Sequence, residues 1–303
     1  MYIYRLAGEN LELAEAELNG FLKAVGKPET ASREGWLAFT EAHPGQLKRL
    51  ALTHEVVEEI DLEEFRPAGS YAVRAENHSE REIEKEEIES EIGEKISDEE
   101  NSVDLEDPNT IIKVYITEDK RFYGKLVEDI PRTLFENRSN ENRPYSSPIS
   151  MDPVLARVLV NLSEVSAGES VLDPFCGTGG ILIEAGLCGI MPKGLDIQEE
   201  MVKGCKENLQ EFGIINFDVQ EGDISEVDEI FDEYNAVISD LPYGKASKQE
   251  NEAIEKYLNL IKEFDGETIF MYNEASIGDY KADFEVYVHK SLTRYIYIIS
   301  ASS

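Results

Sequence analysis

The stretch Val171-Leu172-Asp173-Pro174-Phe175-Cys176-Gly177-Thr178-Gly179-Gly180 decides how this chain is read. A short apolar run stops at an aspartate, a glycine-rich turn follows, and Ile181–Leu187 carries helix-forming residues. Strand, turn and helix in that order open a βα unit. Glycine suits a turn this tight, and it lets a ligand lie against bare backbone.

Outward from that turn the pattern repeats. A helix is predicted over Asp152–Leu162, and strands at Ser170–Phe175, Lys193–Ile197, Phe217–Glu221, Ala236–Asp240, Thr268–Tyr272, Phe284–Val288 and Tyr295–Ile299, with helical stretches between most of them. Such alternation predicts an α/β fold with a parallel, doubly wound sheet. The last two strands are too closely linked for a crossover and should form an antiparallel hairpin.

Acidic residues recur where these strands end. Asp173 precedes the glycine turn, and an acid there suits a cationic sulfonium or amino-acid ligand better than a pyrophosphate. A dinucleotide site, G-x-G-x-x-G, would need glycine where Leu182 stands. Asp196 lies 23 residues after Asp173, where a carboxylate can accept both hydroxyls of a ribose. It would equally serve as a local cap for the helix from Gln198. Gly222-Asp223 closes the third strand, where a side chain can reach an adenine amino group; alone, the pair reads as a turn. Asp240-Leu241-Pro242-Tyr243-Gly244 closes the fourth.

An exocyclic amine on a base is a poor nucleophile because its lone pair is delocalised into the ring. A carboxylate and a carbonyl that accept its two N–H groups orient the nitrogen and help localise that pair. Asp240 can supply the carboxylate and Leu241 the carbonyl, while Tyr243 can stack on a base taken out of its helix.

The N-terminal half is different in kind. Leu11, Ala14, Leu18, Leu22 and Val25 recur at helical spacing after Asn10, a suitable N-cap. Strands are predicted around Trp36–Phe39 and His54–Ile60, then at Tyr71–Ala75, Thr110–Thr117 and Arg121–Leu126. Between them Ser79 to Glu82 spells the capping box S-x-x-E. Ile83, Ile88, Ile92 and Ile96 stripe a very acidic helix whose outer face should simply be solvated. From Pro131 to Pro148 the composition turns to Pro, Asn, Ser and Arg, the character of a linker.

A length of 303 residues suits about two domains. No apolar run approaches the roughly 20 residues that span a bilayer. The start, MYIYRLAGENLELAE, has neither a basic nor an apolar leader region, so a cytoplasmic protein is expected. Three cysteines and four scattered histidines form no ligand cluster, and no metal is expected. The net charge of -34 opposes nucleic-acid binding unless the surface is adapted to a salty cytoplasm, where the Debye length falls to about 3 Å at about 1 M salt. Composition leaves both readings open.

The turn D-P-F-C-G-T-G-G together with D-L-P-Y-G resembles the amino-methyltransferase variety of the class I, Rossmann-like methyltransferases. More narrowly, the chain resembles the archaeal tRNA guanine-N2 methyltransferases that act on guanosine 10. Tyr71–Glu91, Val103-Asp104-Leu105 and Ile111–Gly124 are similar to a THUMP domain, and Arg143-Pro144-Tyr145, continuing through Pro153 to Asn161, resembles the run before the family's catalytic turn. The resemblance implies a ferredoxin-like region over residues 1–65, a THUMP domain over 66–130, a linker over 131–148 and a methyltransferase domain over 149–303. It implies S-adenosyl-L-methionine as cofactor and tRNA as partner, and a monomer is expected.

By the same resemblance Asp173, Gly177 and Gly179 contact the methionine part of the cofactor, Asp196 the ribose and Asp223 the adenine. Phe175, Thr178, Ile197, Ile224 and Asp240 complete the expected cofactor set. Asp240, with Leu241, Pro242 and Tyr243, forms the catalytic set. The common family pattern is D-P-P-Y, and here Leu241 replaces the first proline. RNA should meet a positive strip made by Lys120, Arg121, Lys125, Arg132, Arg138 and Arg143, since phosphates need cations whatever the net charge. Competing readings are an enzyme acting on ribosomal RNA guanine or a DNA base amine, a non-catalytic RNA-binding module and a dehydrogenase. A DNA enzyme has no need of a THUMP-like half, and the series of four aspartates disfavours a vestigial site.

Overall fold

In the computed structural model of the chain, the described residues are 1–303 except 28, 29, 42, 44, 148, 149, 243–247, 290, 291 and 301–303. They cluster into two compact units. The first comprises residues 1–11, 30–48 and 53–131, and the second residues 12–29, 49–52 and 132–303.

The chain opens with β1 (Tyr2–Leu6) and α1 (Leu11–Ala24), which starts directly after Asn10. It continues through β2 (Ser32–Glu34), β3 (Leu37–Thr40), β4 (Thr53–Glu59), β5 (Gly69–Asn77), α2 (Lys85–Ile96), β6 (Asn101–Val103), β7 (Thr110–Ile116) and β8 (Arg121–Asp129). Most of α1 clusters with the second unit. The eight strands form one sheet in the order β2-β3-β1-β4-β8-β7-β5-β6. Residues 1–65 and 66–130, read from sequence as separate, thus share a ladder: β4 and β8 pair antiparallel from Glu55↔Asp129 to Glu59↔Gly124. Periodicity marks strands but not which edges meet.

In this unit α2 packs Ile88, Ile92 and Ile96 against Tyr71, Val73, Ile112 and Val114. The expected capping box is a turn instead. Ser79 donates from its amide and its hydroxyl to Asn77 Oδ1, and α2 starts later, at Lys85, without a side-chain cap. The acidic face of α2 is mostly exposed, with one exception. Glu89 Oε1 accepts the Ala75 amide at 2.8 Å, satisfying a β5 donor beyond the reach of the short β6.

The second unit holds α3 (Thr133–Glu136) and α4 (Pro153–Leu162), followed by β9 (Ser170–Asp173), α5 (Gly180–Leu187), β10 (Met191–Asp196), α6 (Glu199–Glu211), β11 (Asp218–Glu221) and α7 (Val227–Ile230). It continues with β12 (Ala236–Asp240), α8 (Lys248–Glu263), β13 (Glu267–Tyr272), the small pair β14 (Ser276–Ile277) and β15 (Tyr280–Lys281), β16 (Phe284–His289) and β17 (Leu292–Ile299). Asp152 caps α4 by accepting the Val154 amide at 2.9 Å.

The main sheet of this unit has the order β11-β10-β9-β12-β13-β17-β16. Its first five strands are parallel, and β17 runs antiparallel to both β13 and β16. The expected terminal hairpin is present, with its second strand inserted against β13. From β9 the chain winds outward to β10 and β11 and then returns to β12, so a crevice opens at the carboxyl ends where the order reverses. Leu172, Leu195, Val237, Phe270 and Tyr297 anchor one apolar cluster of the unit, and Leu182, Ile183, Cys205 and Leu209 another.

The segment read as a linker is packed within this unit. Phe135 and Arg143 are buried, and Arg138 forms two bonds to the fully buried Glu184, at 2.7 and 3.1 Å. Arg157 adds a third at 2.8 Å. Pro, Asn and Ser here encode turns: the Asn140 side chain bridges Ser147 through both its donor and its acceptor. A second buried acid, Glu17 on α1, accepts the amides of Ala51 and Leu52 and the Asn161 amide group at 2.7–2.8 Å. Among the described residues no helix is long and apolar enough to cross a membrane, and no group of His, Cys, Asp or Glu side chains is arranged to hold a metal.

Candidate active site

Buried strand β9 delivers Asp173 to the carboxyl edge with almost no exposure. Its Oδ1 accepts the Ser239 hydroxyl at 2.7 Å and the Phe175 amide at 3.1 Å. Burial pushes the carboxyl up to about 7, against these two bonds, and the charge of Asp196 adds to the rise. The turn that follows uses its glycines for two purposes. Gly177 has φ +50 and open space where a Cβ would stand. Gly179 has φ +84, and a Cβ there would lie 2.6 Å from Cys205 Sγ on α6. Gly177 therefore leaves its backbone bare beside open space, while Gly179 permits close packing.

Asp196 ends β10, and its carboxylate makes two backbone contacts, the first of them the expected local cap. Its Oδ1 caps the chain at the Gln198 amide at 2.9 Å, and its Oδ2 accepts the Gly177 amide at 3.0 Å. Burial raises its carboxyl as well. Beside it Ile197 is 67% exposed, an apolar side chain on the crevice rim. Asp223, after β11, is engaged locally. It forms a capping box with Glu226, accepts the Ser225 amide at 3.0 Å and pairs with Lys256 Nζ of α8 at 2.8 Å. Lys256 and the Ser225 hydroxyl hold its carboxyl down to about 2.

Asp240 ends β12, next to β9 in the sheet, and pairs with Arg294 of β17. Leu241 is fully buried, and its amide extends the ladder to the Met271 carbonyl at 3.0 Å. Pro242 follows, half-buried. Tyr243 lies outside the described residues. Asp196, Asp173 and Asp240 thus stand at the carboxyl ends of the adjoining strands β10, β9 and β12, with Asp223 just beyond β11.

The tRNA (guanine(10)-N2)-dimethyltransferase of Methanothermobacter thermautotrophicus is 34% identical over 287 residues, 86% of this chain and 82% of its own. That of Methanocaldococcus jannaschii is 35% identical over 261 residues, 80% and 74% of the two chains. The chain belongs to the tRNA (guanine(10)-N2)-dimethyltransferase family. Residues 53–122 match the THUMP domain, and residues 140–284 match the RMKL-like methyltransferase domain. TrmN from Thermus thermophilus shares the fold with a TM-score of 0.54 at 19% identity, covering 99% of each chain. The methyltransferase SMU.472, solved with SAH, gives 0.52 at 14% identity over 100% and 98% of the two chains.

In this family member the Leu241 amide makes a bond that a proline at this position would lose. Proline has no amide hydrogen and could not make the bond to Met271. Three further residues of the expected cofactor set have intrachain partners. Thr178 is buried with its hydroxyl 2.9 Å from that of Ser150, bracing the turn. Ile224 is buried in the core cluster with Leu172 and Leu195. Phe175 packs beside Tyr257, with ring centroids 6.0 Å apart.

The six expected RNA-facing cations do not share one environment. Arg138 and Arg143 are turned inward: Arg138 pairs with the buried Glu184, and Arg143 is 5% exposed with its Nε bonded to the Arg138 carbonyl. Arg132 donates to the Ala51 carbonyl at 3.1 Å. Lys120 pairs with Glu34 at 2.7 Å, Arg121 pairs with Glu91 at 3.3 Å, and Lys125 is exposed on β8.

Three residues unmarked in the sequence reading support the site. Ser239 holds Asp173, and Arg294 holds Asp240. Asn208, fully buried on α6, bonds the backbone of Tyr145 through both ends of its amide and also donates to the Thr178 carbonyl at 2.9 Å. That hub seats the Arg143-Pro144-Tyr145 run against the glycine turn, with the Tyr145 ring on Gly204, where a Cβ would lie 2.3 Å away. Only the spacing of Gly204 and Asn208, four apart on one helix face, hinted at it. A cavity of about 1090 Å³ lined by Ser170, Met191, Asn235, Phe231 and Phe264 lies toward the amino ends of β9, β10 and β12, so Asp173, Asp196 and Asp240 are not part of it.

Proposed function

We propose that this protein transfers methyl groups from S-adenosyl-L-methionine to the exocyclic N2 amine of guanosine 10 in tRNA, giving N2-methylguanosine and N2,N2-dimethylguanosine. The observation that carries this reading is the row Asp196, Asp173 and Asp240 at adjoining strand ends, in a chain one-third identical to enzymes of that name over most of its length.

The residues present fit the cofactor. Gly177 offers open backbone, Asp173 a buried carboxylate for an ammonium, Asp196 an acceptor for ribose hydroxyls and Ile197 an exposed apolar surface for a flat ring. Asp223 reaches the adenine with whichever oxygen its helix cap leaves free. When bound, the cofactor supplies a methyl group on a sulfonium, an electrophile that needs no metal. Asp240 and the Leu241 carbonyl accept the two N–H groups of the target amine and aim its lone pair. Pro242 and Tyr243 shape the slot for the extruded guanine.

In this reading the THUMP-containing first unit holds the tRNA. Lys120, Arg121 and Lys125 on β8 and the preceding turn, with Arg132 after it, provide phosphate contacts. The protein works as a cytoplasmic monomer, and its net charge of -34 reflects a salt-rich, archaeal cytoplasm. Action on ribosomal RNA or DNA is the second reading; the match of residues 53–122 to a THUMP domain disfavours DNA, and the tRNA-acting names of the two relatives above favour tRNA over ribosomal RNA.

The test is incubation with unmodified tRNA and labelled cofactor, followed by nucleoside analysis and mapping of the label. Label in N2-methylated guanosine at position 10 is expected. Label confined to ribosomal RNA or DNA substrates would replace this function.

A further inference from the structure

The pair between Asp240 and Arg294 joins residues 54 positions apart, across a strand that contributes neither. Its geometry follows from strand direction. β12 and β13 run parallel, with Asp240 opposite Met271. β17 runs the other way, with Tyr295 opposite Tyr272 at the end of β13. The first residues of β17 therefore stand at the same edge as the last residues of β12. From there Arg294 extends over β13 to Asp240 Oδ1.

The two partners differ in exposure. The Arg294 side chain is 4% exposed and that of Asp240 21%. Burial lowers the guanidinium to about 10, a sign of how little water it meets. Burying a guanidinium is costly, and apolar residues of similar volume often serve stability as well or better. The Asp240 side chain thus stays partly open, and among the described residues no hydrogen bond is made to its Oδ2. A pair used for stability alone has no need of a partly exposed carboxylate with only one of its oxygens engaged among the described residues.

We propose that Arg294 is a positioning residue for methyl transfer: it clamps Asp240 through Oδ1 and presents Oδ2 to the target amine. The proposal rests on the reading of Asp240 as the acceptor for that amine. Without the clamp the carboxylate rotates about χ1 and χ2, and the amine loses its alignment with the methyl group. Orientation of this kind acts on the transfer rate, whereas substrate and cofactor affinity depend on contacts elsewhere.

The test uses the full chain with Arg294→Gln, Arg294→Lys, Asp240→Asn and the Asp240→Asn/Arg294→Gln pair. Four quantities are measured: the single-turnover rate on tRNA, KM for tRNA, affinity for S-adenosylhomocysteine by calorimetry, and Tm. Arg294→Gln is expected to slow transfer by about 10²-fold, the scale of losing a positioned group, while S-adenosylhomocysteine affinity and KM stay within a few-fold. Arg294→Lys keeps the charge without the fork and should recover a large part of that loss. The double variant should be no slower than Asp240→Asn, because residues acting as one unit are not additive.

An Arg294→Gln rate equal to wild type, or a double variant slower than Asp240→Asn by the whole Arg294→Gln factor, overturns the proposal. If Arg294→Gln does not fold, Arg294→Met, which keeps a buried stem without the charge, decides: a wild-type rate overturns the proposal, and a reduced rate at unchanged KM supports it. An Asp240→Asn variant with full activity instead removes the amine-acceptor reading itself, so the two failures are distinguishable.

Discussion

The Ser239 hydroxyl donates to Asp173 Oδ1 at 2.7 Å, tying the end of β9 to the residue before Asp240. One short bond thus couples the two halves of the site. It also opposes burial, which drives the Asp173 carboxyl up to about 7. A protonated Asp173 cannot hold an ammonium, so affinity for S-adenosylhomocysteine should rise with pH through neutrality. Ser239→Ala should move that midpoint upward. Calorimetric titration across the neutral range checks both, and a pH-independent affinity would count against the role of Asp173. The sign for stability is the reverse. The folded state binds this proton more tightly than an unfolded aspartate with its value of 3.8, so the contribution of Asp173 to stability declines as pH rises from that value to about 7.

Gly177 and Gly179 should separate under substitution. Each needs positive φ, which costs an alanine roughly 1–2 kcal/mol. At Gly177 the new methyl enters open space, so Gly177→Ala should weaken S-adenosylhomocysteine binding with only that modest loss of stability. At Gly179 it meets Cys205 at 2.6 Å, so Gly179→Ala should lower Tm more and displace α6. Equal Tm losses in the two variants would contradict this division.

Glu184 carries two guanidiniums inside the second unit, those of Arg138 and Arg157. Glu184→Ala leaves both buried without their shared counter-ion, and a loss of about 3–5 kcal/mol in urea denaturation is expected. Arg138→Glu should likewise unfold the protein before it weakens tRNA binding. A stable Arg138→Glu variant with poor tRNA affinity would return Arg138 to the RNA surface.

Charge reversal at Arg121 and Lys125 should act on tRNA alone. Each lost phosphate contact lowers the salt slope of binding by about 1 and leaves S-adenosylhomocysteine affinity unchanged. Arg121→Glu is also expected to leave Tm near the wild-type value, since its ion pair with Glu91 is exposed. Methylation of tRNA should persist at molar salt, and a low-salt optimum would remove the salt-adapted account of the charge.

Local chemistry in the sequence determined a good deal: the strand–turn–helix at Asp173, the alternation that makes a wound sheet, the terminal hairpin, and the aspartates at successive strand ends. Each is written in a window of a few residues, through apolar period, glycine conformation or the abrupt end of a strand. Tertiary structure alone decided the rest. It merged residues 1–65 and 66–130 into one sheet, packed the supposed linker and turned Arg138 and Arg143 inward. It also brought Ser239, Asn208 and Arg294 to the site. Those outcomes depend on which strand edges pair and which buried charges find partners, and such partners lie tens of residues away, where no periodicity reaches.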